Sequence, residues 1–100
     1  MFDRLEDLLQ RFEEIMKEMS EPSVTNDQKR YTSLMKEQSA LTPIVEAYKE
    51  YKKCKQDIKD SLVMLDEEKD EDMREMLKDE LNTAKKRVEE LENHMKILLL

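Results

Sequence analysis

No glycine occurs anywhere in this chain of 100 residues, and its only prolines are Pro22 and Pro43. Glycine supplies the left-handed backbone used by tight turns, bulges and helix C-caps, and proline marks the breaks between elements. A chain nearly free of both has few places to reverse direction, so it is expected to form a small number of long helices. The same absence removes phosphate-cradling loops of the Walker and Rossmann kinds, in which glycine lets the backbone approach the ligand. With 38% hydrophobic residues the chain can build one modest core, and its length fits one domain.

A single cysteine, Cys54, excludes an intrachain disulfide, and a single histidine, His94, leaves no Cys/His zinc cluster to propose. That usage suits a reducing cytoplasm. The opening Met1-Phe2-Asp3-Arg4-Leu5-Glu6 has acids where a secretory signal would be apolar. No stretch approaches the roughly 20 apolar residues that span a bilayer. The expectation is a cytoplasmic chain with no membrane span, metal or cofactor. Its net charge of -7 argues against broad attraction to phosphate. The charge is concentrated, for Asp66 to Asp72 holds six acids in seven positions. Such a block is either a hydrated turn or an acidic prong that meets a basic partner.

Hydrophobic spacing divides the chain. Leu5, Leu8, Phe12, Ile15 and Met19 recur at steps of three and four, which predicts a helix over residues 3–19 that ends before Pro22. Thr25 and Gln28 read as a capping box that opens a second helix over 26–65. Its first stripe is Tyr31, Leu34, Gln38, Leu41 and Val45. Pro43 would take one hydrogen bond from the ladder, so this helix is kinked or broken at 42–43. From Ile44 a heptad runs through Tyr48, Tyr51, Lys55, Ile58, Leu62 and Leu65. A matching seam of Leu77, Leu81, Ala84, Val88, Leu91, Met95 and Leu98 lies on a third helix over 70–98. The short connection between these seams makes the helices antiparallel, with Leu62 facing Leu77, Ile58 facing Leu81 and the Lys55 stem crossing Ala84. The fold class is therefore all-α: an antiparallel helical bundle with a long coiled-coil-like hairpin. An exposed apolar edge on that hairpin would let the isolated chain self-associate.

Catalytic chemistry is hard to place. Lys52, Lys53 and Lys55 surround Cys54 and favour a thiolate, yet no base or oxyanion site accompanies it, so an idle thiol is expected. His94 lacks companion ligands. The eight methionines suit gap-filling or adaptable contact surfaces, and the basic residues Lys85, Lys86 and Arg87 suit a solvated face. The chain closes on Ile97-Leu98-Leu99-Leu100, an apolar run expected of a segment cut from a longer protein.

Several of these stretches are familiar as a set. Asp70 to Met76, Asp79-Glu80-Leu81, and Leu91-Glu92 running on to Leu98-Leu99-Leu100 closely resemble the N-terminal domain of bacterial peptide chain release factors of the class that reads UAA and UAG. The likeness extends over the whole chain, through the Met-Phe-Asp-Arg-Leu opening, the loop at Pro22 and the Ala40 to Glu46 junction. The resemblance implies a parent that directs termination by promoting peptidyl-tRNA ester hydrolysis on the ribosome. It assigns that chemistry to a Gly-Gly-Gln loop, and codon reading to a Pro-x-Thr loop; this chain contains neither. It implies a non-catalytic positioning domain near the stalk base of the large subunit, within reach of the recycling GTPase, while other domains contact the stop codon and peptidyl-tRNA. Asp72, Arg74, Glu75 and Asp79 mark the implied partner surface. The rival reading of the residues is a stand-alone coiled-coil scaffold or adaptor.

Overall fold

A chain without glycine lacks the residue best suited to positive φ, and the backbone contains no positive φ. The computed structural model describes residues 1–100 and consists of four α-helices: α1 (Phe2–Met19), α2 (Pro22–Thr25), α3 (Gln28–Glu67) and α4 (Glu71–Leu98). The architecture is all-α. Two compact units divide the chain, Met1–Glu46 and Ala47–Leu100.

In the first unit, α1 buries Leu5 and Ile15. Ile15 joins Val24 and Leu34 in a core cluster against which Met19, Tyr31 and Leu41 pack. The hydrophobic spacing of α1 therefore marks its inward face. Two ion pairs cross this unit, Arg11 with Glu37 and Arg30 with Glu18. The Arg11 pair is close, with Nε donating at 3.1 Å and Nη2 at 2.6 Å to the same carboxylate oxygen.

The connection to α3 differs from the capping box expected at Thr25. Pro22 needs no amide hydrogen at the first position of a helix, and it opens the one-turn helix α2. Thr25 lies inside that turn and donates its hydroxyl to the Pro22 carbonyl. Asp27 caps α3 instead: its carboxylate accepts the Arg30 amide at 3.2 Å, and its carbonyl accepts that of Tyr31.

Helix α3 continues through Pro43 without a break. Proline cannot donate to the Ser39 carbonyl, but both residues are exposed, so water can solvate the orphaned oxygen. One residue earlier, the Thr42 hydroxyl adds a 2.8 Å bond to the Gln38 carbonyl. Solvation of the orphaned Ser39 carbonyl lets the ladder resume past Pro43.

In the second unit, the later part of α3 and α4 form an antiparallel hairpin. Glu50 pairs with Arg87 far from the turn and Leu65 with Arg74 beside it, so sequence numbers fall on α4 as they rise on α3; Tyr51 also reaches Glu92. The α4 seam is buried at Leu77, Leu81, Val88, Leu91 and Met95. The α3 seam departs from the expected heptad. Ser61 is 8% exposed whereas Leu62 is 47% exposed, and Cys54 is half-buried while Lys55 faces solvent. Tyr51, Ile58 and Leu65 fit either phase, and the hairpin takes the one with smaller residues between them. Lys55 therefore does not lay its stem across Ala84.

Candidate functional site

Helix α4 opens in the acidic stretch, and the cap explains why. Asp70 takes an extended conformation and its carboxylate accepts the Met73 amide at 3.0 Å, with Glu71 and Asp72 in the positive first turn. Glu68 turns back to accept the Asp70 amide at 3.1 Å. Much of the acidic block is thus a cap and its flanks.

Arg74 stands one turn into α4, half-buried. Its Nη1 donates to the carbonyls of Leu65, in the last turn of α3, and Glu68, just past its end, the Glu68 bond measuring 3.0 Å. A cation there satisfies carbonyls left without helical partners and meets the negative end of the helix dipole. Asp72, Glu75 and Asp79 are exposed on α4, at spacings of three and four that put them on one stripe. Of the four residues marked from sequence, three present carboxylates along the start of α4 and the fourth closes the hairpin turn.

Beside this stripe is a groove of about 630 Å³ between the two helices of the second unit. Its lining includes Cys54 and Ser61 on α3 and Ala84 on α4, with Met64 and Met76 towards the tip. Asp57, Asp60, Asp79 and Glu80 add carboxylates, and Arg87 is its single cation. The sequence reading missed this groove because it put Lys55 and Leu62 in the seam. The available signal was the seven-residue spacing of the small residues Cys54 and Ser61, opposite the small residue Ala84.

Arg87 is bound within its own hairpin. Its Nε and Nη2 donate to the two Glu50 carboxylate oxygens at 2.7 and 2.9 Å, and Nη1 donates to Glu90 at 3.1 Å. Hydrogen bonding to Arg87 holds the Glu50 carboxyl below its ordinary range, against partial desolvation, and raises the guanidinium in turn. Burial and the charges of Glu50 and Asp57 push the Cys54 thiol up, so the lysines around it do not produce the thiolate their positions suggested. His94 is exposed on α4, and no group of three or more His, Cys, Asp or Glu residues could hold a metal ion. No helix is long and apolar enough to cross a membrane.

The chain is similar to known proteins along its entire length. It is 62% identical to "Peptide chain release factor 1" of Agathobacter rectalis, 57% identical to the protein of that name from Lachnoclostridium phytofermentans, and 48% identical to that from Lactococcus lactis. Each match covers all of this chain but 28% of the relative, so the chain spans under a third of the length of these proteins. No solved structure matches it. Residues 8–100 match the family described as the PCRF domain. With more than nine-tenths of its residues inside that match and relatives this similar, the chain belongs to the PCRF-domain family of peptide chain release factors.

Proposed function

We propose that the chain is the N-terminal positioning and interaction module of a release factor that acts in the cytoplasm at UAA and UAG codons. On this reading the longer protein promotes hydrolysis of the ester joining nascent peptide to tRNA. The Gly-Gly-Gln and Pro-x-Thr loops that perform catalysis and codon reading lie outside the segment, which is not itself an enzyme. The observation that carries the reading is the end-to-end match to proteins named peptide chain release factor 1. The partner is the ribosome at the stalk base of the large subunit, with the recycling GTPase in reach.

The start of α4 is the contact surface on this reading. Asp72, Glu75 and Asp79 offer a carboxylate stripe, while Arg74 orders the turn that presents it. Reversing all three acids to lysine in the longer factor should slow peptide release on stop-codon ribosomes or the GTPase-dependent recycling step. Unchanged rates for both would remove this stripe from the reading. A stand-alone scaffold remains the competing reading, and it requires a gene product that lacks a Gly-Gly-Gln segment after this chain.

A further inference from the structure

Small side chains in a helical hairpin leave room between its helices, and here that room is open to solvent. Cys54, Ser61 and Ala84 line the groove, where leucines would otherwise fill it. Met64 and Met76, 53% and 50% exposed, stand along it near the tip. Methionine adapts its shape at low cost and suits a surface that receives apolar side chains. From Cys54 to Met64 the groove follows about 15 Å of helix, roughly three turns.

Charge decides what fits. Asp57 and Asp60 on α3, and Asp79 and Glu80 on α4, place two carboxylates on each wall. Lys53 approaches Asp57 at 3.7 Å, a surface pair too exposed to neutralise that wall firmly. Arg87, the one cation lining the groove, is held by Glu50 and Glu90. A phosphate backbone would meet four like charges, and so would the same groove on a second copy of this chain.

We propose that this groove docks an amphipathic helix from a partner protein, one with a stripe of apolar side chains flanked on both edges by lysine or arginine. The apolar stripe enters between Met64 and Met76 towards Ser61 and Ala84, and the flanking cations meet the carboxylates on the two walls. This docking is independent of the termination reading, and its test needs no ribosome.

The probe is a synthetic leucine-alanine-lysine helical peptide with that charge arrangement, titrated into the 100-residue chain labelled at its methionine methyl groups. Met64 and Met76 signals should move saturably while those of Met1 and Met16, exposed on the first unit, stay in place. Asp57→Lys with Asp79→Lys should weaken binding about tenfold or more. Asp7→Lys with Glu13→Lys changes net charge equally on the first unit and should weaken it less than about twofold. Ala84→Met, which fills the groove with an apolar side chain and alters no charge, should also abolish the methionine shifts in a chain whose circular dichroism is unchanged. Equal weakening by the two charge-reversed chains, or movement of all methionines together, would reduce the effect to general attraction and overturn the proposal. Binding of a glutamate-for-lysine peptide or of polyuridine at the same methyls would overturn it too.

Discussion

Leu62→Ala and Leu81→Ala test where the hairpin seam runs, because the two leucines differ in burial and not in chemistry. Leu81 keeps 8% of its surface exposed and Leu62 keeps 47%. Fully burying a leucine is worth roughly 2 kcal/mol, and a cavity left in a packed seam raises the cost of truncation to about 3 kcal/mol. That figure applies to Leu81. At Leu62 about half the transfer term is present and solvent fills the space, leaving about 1 kcal/mol, reduced slightly by the better helix propensity of alanine. With a urea slope of about 1.5 kcal/mol/M, Leu81→Ala should lower the midpoint by about 2 M and Leu62→Ala by about 0.5 M. Circular dichroism at 222 nm during urea titration reads both. Equal losses would mean that the seam passes through Leu62, as hydrophobic counting suggested, and that Ser61 does not occupy the interior.

Other perturbations probe the turn, the proline and the interhelical ion pair. Arg74→Met should cost about 1–2 kcal/mol in urea unfolding, since it removes a charged donor from two carbonyls at a partly exposed site, while an unchanged midpoint would refute the clamp. Pro43→Ala restores an amide to the α3 ladder and should stabilise the chain by about 1–2 kcal/mol, the gain limited by solvation of Ser39 and by greater unfolded-state freedom. A loss of stability would show that the proline fits a bend the fold requires. Glu50, held below its ordinary range by Arg87, contributes stability above its unfolded-state range that fades as pH falls through its lowered folded-state range. Glu50→Gln should flatten that acid-side loss in urea midpoints measured against pH; an identical acid limb would assign the loss to other carboxylates.

Much of the helical framework was legible because apolar residues recur at helical spacing and glycine is absent. Leu5 and Ile15 on α1, and Leu81, Val88 and Leu91 on α4, lie buried, since large side chains at most steps mark one face. The α3 seam was less legible. A stripe scored by hydrophobicity favours Leu62 over Ser61, yet Ser61 is the buried one and lines the same groove as Ala84, while Leu62 is exposed. Pro43 left the break undecided because its cost depends on whether the orphaned carbonyl reaches water, which spacing does not encode. The one-turn helix α2 escaped for a related reason: Thr25 and Asp27 can both cap, and the position of Pro22 decides between them.

Of the residues marked for function, Arg74 stood out in sequence because it accompanies a familiar acidic motif, whereas the structure gives its Nη1 a local task at the turn. The groove beside it had no apolar signature to announce it. Its lining includes acids in a chain with 25 of them, and small residues that carry little weight in any hydrophobic pattern.

On the proposed role, this segment serves a release factor as a positioning module without catalytic parts of its own. Release of peptide from stop-codon-programmed ribosomes tests it most directly, comparing this chain alone, the longer gene product, and that product lacking residues 1–100. The longer product should release peptide at UAA and UAG, the segment alone should release none, and the product lacking the segment should be slower in release or recycling. Release by the segment alone, or none by the longer product, would contradict it.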